Sequence, residues 1–306
     1  ADLSHLLPPL YHSKVLIVGF SFLLVGLGIK MALFPVHTWL PDSYTLAPSS
    51  VSALLAPLFT KVGAYVLIRV MFTIFQPSFS TEIFPVTQML GWIAAIGIIF
   101  AGILALAQSD LKRMLCYLIV AEIGYIVLGI ASANKYGLTG AILHIVNDMF
   151  MMACLFTVVG TIAAQKGSCT LERMRGLHKT MPITMGVLLV GGLSIVGIPP
   201  LCGFISKWYL VLGMIQAKQW VFLGVLLASS LLNAIIFFRI FEQVYFEPRD
   251  AHDEGQRKRG RSVIMDKVPA NELVPMICFA SAIVLIGIFS GWIIDNIVAF
   301  AIPKSF

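Results

Sequence analysis

The sequence predicts an all-α polytopic membrane protein with about eight transmembrane helices, two of them broken. Hydrophobic residues make up 58% of the 306 residues and charged residues only 12%, and the mean hydropathy is +0.92. Soluble domains carry about 25% charged residues. Apolar segments of bilayer-spanning length recur along the whole chain, and two of them contain prolines beside a lysine.

Eight apolar segments are long enough to cross a bilayer, which requires about 20 residues. The first segment, 14–44, is interrupted by Pro35, and the sixth, 181–217, by Pro199 and Pro200. The six uninterrupted segments are 49–72, 88–108, 113–132, 137–163, 219–246 and 271–300.

Lysines and arginines are distributed unevenly between the connections. The third, fifth and seventh connections carry twelve of them: Lys112, Arg113, Lys166, Arg173, Arg175, Lys179, Arg249, Arg257, Lys258, Arg259, Arg261 and Lys267. The opposite side has four, at Lys14, Arg69, Lys135 and Lys218. The positive-inside rule then predicts that the odd connections are cytoplasmic and both termini lie outside. The basic run 255–261 fits this topology signal, or a contact with lipid headgroups.

The sequence contains none of the patterns of several common functional sites. Its five cysteines form no C-x-x-C and no Cys/His cluster, which argues against a disulfide framework or a zinc site. There is no phosphate-binding glycine loop, nucleophile elbow, or ligand set for haem or an iron–sulfur cluster. We therefore expect no catalytic residue, cofactor or metal of its own. The net charge of +6 reports orientation, and no nucleic-acid partner is expected.

Several ionisable residues lie inside the predicted spans, where each costs roughly 2.5–3.5 kcal/mol to insert. Such residues usually face a bundle interior or a wet cavity and mark a functional site. The set comprises Lys30, Lys61, Glu122, His144, Asp148, Lys207, Arg239 and Glu242. The last two lie near an interface, where a structural role is the simpler interpretation.

His144 and Asp148 are four residues apart, so they share one helix face. A carboxylate beside an imidazole favours the protonated ring, and this pair could hold and release a proton. A desolvated lysine can also give up its proton near neutral pH. The alternatives are a lysine that snorkels to the headgroups, for Lys207, and interhelical hydrogen bonds, for His144 and Glu122.

Each broken span carries one of these lysines. Pro35 and Pro41 follow Lys30, and the stretch 197–203 precedes Lys207. Proline removes a helical hydrogen bond, and the released carbonyls are tolerated at membrane depth only beside protein or water. Transporters place such interruptions at corresponding positions of two repeats, next to the ion path.

Four stretches resemble a known family: "KMALFPVHTWLPDSYTLAPSSVSALLAPLFTKVGAYVLIR" (30–69), "SDLKRMLCYLIVAEIGYIVLGI" (109–130), "GLTGAILHIVNDMFMMACLFTVVG" (137–160) and "GIPPLCGFISKWYLVLGMI" (197–215). They are similar to the antiporter-like proton-transporting subunits of respiratory complex I, Mrp-type cation/proton antiporters and energy-converting membrane hydrogenases. The first stretch is the most specific. The resemblance covers nearly the whole chain.

The resemblance implies roles for individual residues in a hydrated proton line along the membrane midplane. Lys30 matches the lysine of the first broken helix, and Lys61 the bridging lysine of the next helix. His144 matches a histidine on the central axis, and Lys207 the lysine of the second broken helix. His37, Trp39, Pro41 and Asp42 match the turn that follows the first break.

The chain departs from the family pattern in three ways. It has Asp148 where a second histidine is common and Met152 where a lysine is frequent. It also has fewer spans than the two inverted repeats of a full member, and it lacks the helix whose glutamate pairs with the lysine at position 30. We expect either a C-terminal fragment or a split subunit, with a partner chain supplying the missing helices and glutamate.

This resemblance implies a division of the chain into four parts. Residues 1–72 form the end of the first repeat, and 88–246 form the second five-helix repeat, with its broken helix at 181–217. Residues 247–270 are a basic cytoplasmic loop, and 271–306 hold the last transmembrane helix.

Two functions remain open at this point. The chain is either a proton- or sodium-translocating subunit of a multisubunit complex in a prokaryotic cytoplasmic membrane, coupled to redox or antiport chemistry in its neighbours, or a structural subunit that kept the fold and does not pump. Transport of an organic solute is less favoured, because the cationic line lacks a pocket of mixed aromatic and polar groups. Lipids and the other membrane subunits are the expected partners.

Overall fold

Ten helices and a short C-terminal helical segment account for most of the described chain. The computed structural model describes residues 6–246 and 268–303. Most of the predicted basic loop 247–270 lies outside the described residues. The helices are α1 (Lys14–Lys30), α2 (Trp39–Leu46), α3 (Ser49–Arg69), α4 (Val86–Leu106), α5 (Leu111–Ala131), α6 (Lys135–Lys166), α7 (Pro182–Val196), α8 (Cys202–Gln216), α9 (Trp220–Phe241) and α10 (Ala270–Ile288), followed by α11 (Ser290–Ala301).

Local sequence signals explain where the central helices begin and end. The side chain of Asp110 accepts a hydrogen bond from the backbone of Arg113 and caps α5, and Asn134 caps α6 in the same way through Gly137. Gly167 ends α6 and Gly197 ends α7, both in the left-handed conformation that glycine adopts without steric cost.

The centre of the bundle is α5, in which nearly every residue is buried. It packs against α4 and α6, and α6 in turn packs against α3, α8 and α10. At 32 residues, α6 is about 48 Å long, well beyond the roughly 30 Å hydrocarbon core. It therefore contacts the other helices over the full depth of the bundle.

Both predicted helix breaks are present. The first separates α1 from α2, at residues 31–38, and the second separates α7 from α8, at residues 197–201. Each contains a cis peptide bond, Phe34–Pro35 in the first and Pro199–Pro200 in the second. Lys30 is the last residue of α1, whereas Lys207 lies in the second turn of α8.

The prediction of eight spans is not confirmed. Six helices of the described residues are long and apolar enough to cross a membrane, or seven if Leu171–Lys179 and Pro182–Val196, bent by 116°, count as one span. Fewer spans are counted than the sequence predicts because the breaks leave helices that are too short to cross a membrane: α1 has 17 residues, and α7 and α8 have 15 each. The apolar segment 271–300 is also interrupted, after α10.

The first, third and fifth connections meet at one end of the bundle, where α10 begins. Lys112 donates to the backbone oxygens of Thr45 and Ala47, at 3.1 and 2.6 Å. Asp110 and Thr170 form an antiparallel bridge. Glu272, after the seventh connection, accepts a hydrogen bond from Thr161 at the end of α6. The first, third and fifth connections and the start of α10 thus lie at the same end of the bundle.

Candidate functional site: a buried polar line

A buried ion pair joins α3 to α6. Lys61 Nζ lies 2.7 Å from Asp148 Oδ2, and the two side chains are 2% and 0% exposed. Lys61 is near the middle of a 21-residue helix, so it lies well inside the span. Two opposite charges that leave water together at hydrogen-bonding distance offset much of each other's desolvation cost.

A second buried group centres on His144 of α6. Its Nε2 lies 2.8 Å from Glu122 Oε2 on α5, and its Nδ1 lies 2.9 Å from Ser206 Oγ on α8. Asn233 of α9 donates from Nδ2 to the other oxygen of Glu122 at 3.3 Å. One imidazole therefore connects the central helix to the helix after the second break, with both ring nitrogens engaged.

The predicted pairing of His144 with Asp148 is wrong in one respect. The two residues lie on the same helix face, as their spacing predicts, but each bonds to a different helix. The carboxylate of Asp148 pairs with Lys61 on α3, while the imidazole bonds to Glu122 on α5. The spacing of four makes the two residues neighbours on α6, but the side chains that bond to them come from the facing helices.

Lys207 points into the bundle and is 8% exposed, so it does not snorkel to the headgroups. Its Nζ donates to the backbone oxygen of Ile195, in the last turn of α7, and lies 4.7 Å from the ring centre of Tyr125. Carbonyls at a helix C-terminus and an aromatic face both attract a cation. Lys207 also interacts electrostatically with Glu122 and Asp148.

Lys30 differs from the other two lysines. It is exposed at the surface of the described chain, and its Nζ lies 5.2 Å from the ring centre of Phe59. None of the salt bridges among residues 6–246 and 268–303 involves it. The expectation that Lys30 lies in a buried site is therefore not met within the described chain, since no helix covers this face.

The residues expected to support the line of buried ionisable groups, which runs from Lys61 to Lys207, make contacts elsewhere in the structure. His37 is buried in the first break and stacks on Phe34, with ring centres 5.5 Å apart. Asp42 lies at the end of the bundle, where it forms an exposed pair with Arg113 at 3.3 Å. Neither contacts the buried groups. Pro35, Pro199 and Pro200 lie within the two breaks.

Several polar residues of the line were not singled out from the sequence. They are Ser206, Asn233, Tyr125 and Asn147, the last of which donates from Nδ2 to the backbone oxygen of Cys202 at 2.7 Å. All four are buried in apolar helices. The available signal was a hydrogen-bonding side chain in the middle of a predicted span, which is costly unless another helix satisfies it.

The profile of one protein family, described as "NADH:quinone oxidoreductase/Mrp antiporter, TM", matches residues 2–233. The chain belongs to this family. It is therefore an integral membrane protein with the antiporter-like fold, as its resemblance to these subunits predicted.

Relatives of this antiporter-like chain come from two kinds of complex. It is 44% identical over 306 residues to an NADH-quinone oxidoreductase subunit of Desulforudis audaxviator, covering 99% of this chain and 61% of that protein. It is 34% identical over 234 residues to a Na(+)/H(+) antiporter subunit of Bacillus subtilis, covering 76% of this chain and 46% of that one. The chain thus spans about three fifths or less of these relatives' length.

Solved structures share the same fold. A chain of the Mrp complex from a Dietzia species superposes with a TM-score of 0.87 at 22% identity, covering 99% of the antiporter-like chain and 63% of its counterpart. A chain of Thermus thermophilus respiratory complex I gives a TM-score of 0.73 at 24% identity, covering 93% and 60%. Both neighbours are parts of multisubunit membrane complexes.

The buried line consists of ionisable side chains and the polar groups that bond to them. Among the described residues, no group of three or more His, Cys, Asp or Glu is arranged to hold a metal ion. The line holds two lysines, Lys61 and Lys207, and two carboxylates, those of Glu122 and Asp148, of which Lys61 and Asp148 form an ion pair.

Proposed function

We propose that this chain is a proton-translocating, antiporter-like subunit of a multisubunit membrane complex. The observation that carries the proposal is the buried set of ionisable side chains that extends from Lys61 and Asp148 to His144, Glu122 and Lys207. Ionisable groups at membrane depth are costly and are retained mainly where charge moves. Membership in the family and its likeness to subunits of complex I and Mrp complexes support the same function.

The proposed path uses the two ends of the line differently. A proton taken up near Lys61 weakens the pairing between the ammonium and Asp148 by neutralising the carboxylate. The imidazole of His144 then accepts a proton on one nitrogen and releases one from the other, toward Glu122 or Ser206. Lys207 is the last carrier, next to the break where backbone carbonyls are released from helical bonds.

Energy for this movement must come from outside the chain. We propose that partner subunits supply it, either by redox chemistry or through an opposing sodium gradient, since the buried line contains no redox group. Movement of sodium through the line is the finer alternative within the same function. The two relatives above, one from a quinone oxidoreductase and one from a sodium/proton antiporter, represent these two energy sources.

Lys30 belongs to the same proposal as the switching site of a first half-channel. Its exposed ammonium calls for a carboxylate from helices outside this stretch, or from a neighbouring subunit. If no carboxylate is supplied, the favoured function is that of a structural subunit that does not pump. We also propose that the end of the bundle where the first, third and fifth connections meet is cytoplasmic, following the distribution of lysine and arginine.

The test uses the complex purified through this chain and reconstituted in vesicles. Lys207→Ala and Lys61→Ala are expected to abolish proton uptake when uptake is measured per amount of assembled complex. Lys218→Ala, at an exposed position in the short connection after α8, is the matched control. Unchanged proton uptake in both line variants would leave only the structural role.

A further inference from the structure

A cleft with a largely apolar lining opens at the end of the bundle where the first, third and fifth connections meet. It has a volume of about 300 Å³ and lies between the start of α3, the end of α6 and the start of α10. Six of its lining residues have polar side chains: Ser49, Ser50, Thr157, Thr161, Asn271 and Glu272. It is separate from the buried line described above, and none of the roles assigned so far involves it.

One carboxylate lies in this cleft. Glu272 is half-buried, and its Oε2 accepts a hydrogen bond from Thr161 Oγ1 at 3.0 Å. An ionised carboxylate offers about four acceptor positions, so this bond leaves most of them available to water. The group is therefore fixed in place while remaining in contact with solvent.

Two prolines leave backbone carbonyls of residues beside the cleft without their usual helical donor. Pro57 lies inside α3 and Pro275 inside α10. Because proline has no N–H, the carbonyl four residues earlier loses its usual helical donor. Those carbonyls belong to Ala53 and Asn271, and both residues line the cleft. Released carbonyls at this depth require water or protein donors.

The cleft and the ion pair lie on the same two helices, α3 and α6. Ala53 is eight residues before Lys61 on α3, which corresponds to roughly 12 Å of helix. Thr157 is nine residues after Asp148 on α6, which corresponds to roughly 14 Å. Next to Lys61 on α3, the hydroxyl of Thr60 is buried and has no hydrogen-bond partner among the described residues. One unsatisfied polar atom thus lies beside the ion pair.

We propose that Glu272 collects protons at the mouth of this cleft and delivers them toward Lys61 and Asp148. The inference rests on the proposed proton-translocating function and identifies its uptake site. The carboxylate accepts a proton from water at the surface and becomes a carboxylic acid. It then releases that proton to water inside the cleft and regains its negative charge, so each cycle moves one proton and leaves Glu272 unchanged.

A purely structural role makes a different prediction. An acidic residue in the first turn of a helix is stabilised by the helix dipole. Its bond to Thr161 also fixes α10 to α6. If Glu272 only holds the helices together, Thr161→Val should reduce the amount of assembled complex, whereas Glu272→Gln, whose amide oxygen can still accept the bond from Thr161, should assemble and take up protons normally.

The experiment measures proton uptake by the reconstituted complex carrying Glu272→Gln, Glu272→Asp or Thr161→Val. We expect Glu272→Gln to lower uptake at least fivefold with assembly unchanged, Glu272→Asp to retain most of it, and added formate, a small permeant acid, to restore the Gln variant. Formate should not affect a helix-packing defect. Glu82→Gln, at an exposed position at the other end of the bundle, is the matched control and should behave as wild type.

The outcomes separate this inference from the proposed function. Wild-type uptake in Glu272→Gln, or a loss that formate does not restore, would overturn the uptake role of Glu272. If Lys61→Ala blocks transport in the same preparations, proton translocation itself stands. If Lys61→Ala also transports normally, the proposed function fails, and the result for Glu272 has a different cause.

Discussion

Lys61 and Asp148 form an ion pair of 2.7 Å across the interface between α3 and α6, with both side chains almost completely buried. Removal of one partner leaves an uncompensated charge and costs about 3–5 kcal/mol. We therefore expect Lys61→Met and Asp148→Leu each to lower the thermal stability of the purified protein strongly. The double variant should be more stable than either single variant, because no unpaired charge remains.

The double-mutant cycle also separates stability from transport. The double variant should recover stability and still fail to take up protons, since an apolar pair carries no charge. Additive losses of stability would show that the two side chains do not depend on each other, and would contradict the pair.

Glu122 provides a second prediction. Glu122→Gln keeps the size of the side chain and its ability to bond to His144 and Asn233, but it removes the ionisable group. We expect proton uptake to fall by about tenfold or more, since a positioned acid–base group commonly contributes at least that much. Asn233→Ala removes one hydrogen bond to the same carboxylate and should have a smaller effect. Equal effects of the two variants would mean that the charge of Glu122 does not matter.

The sequence predicted the membrane fold, both breaks and the charged residues of the line, because each has a local signal. Prolines mark the breaks, and a charge within an apolar segment marks a candidate site. The sequence did not predict the hydrogen-bond partners of these residues, since a bond between His144 and Glu122 depends on how α5 and α6 are rotated against each other. The sequence could not show that Glu122 is fully buried, because only the central position of α5 places its carboxylate out of contact with water.

Lys30 was a clear candidate in the sequence, but the described chain does not bury it. Its charge and its proline neighbour gave it a stronger signal than most of the other charged positions. Whether such a lysine is covered depends on helices that need not belong to the same stretch of sequence. Sequence patterns identify which side chains are costly to bury, and the packing of the assembled complex determines where that cost is offset.

Close packing at the second break gives a stability prediction. A Cβ placed on Gly203 would lie 1.9 Å from the backbone oxygen of Ser194, whereas one on Gly224 of α9 would meet nothing within 4 Å. We expect Gly203→Ala to displace α8 from the end of α7 and to cost at least the ~1–3 kcal/mol of an overpacked core. Gly224→Ala should be neutral or slightly stabilising. Thermal unfolding in detergent measures both, and equal melting temperatures would contradict the close approach.

The connection between α6 and α7 contains a thiol whose reactivity depends on pH. Cys169 is 3% exposed and bonds to the backbone oxygen of Val159 at 3.2 Å. Burial, together with the nearby charge of Asp110, raises the pKa of the Cys169 thiol to about 12. The thiolate is the reactive form, so at about pH 8 the native protein should label very slowly with iodoacetamide, and labelling should rise toward about pH 11. In denaturant, the same cysteine should react at the lower pH, and rapid labelling in the native state would show that this connection is open.

The exposed ammonium of Lys30 leads to the prediction that separates a pump from a scaffold. A cation at membrane depth, 5.2 Å from the ring centre of Phe59, has only a weak aromatic partner within the described chain. In the assembled complex, we expect a carboxylate from outside this stretch to lie at salt-bridge distance from Lys30. A hydrophobic carbodiimide joins an amine to an adjacent carboxylate, and mass spectrometry of the digested complex would identify the linked peptide.

Two controls determine how that result is interpreted. The Lys61–Asp148 pair is adjacent within this chain and should be linked by the same reagent, which shows that the reagent reaches the buried line. Lys30→Arg keeps the charge, cannot form the link, and should remove the new peptide. If Lys61 is linked and Lys30 is not, no carboxylate faces the first break. The first half-channel would then lack its switching pair, and transport would be confined to the line from Lys61 to Lys207.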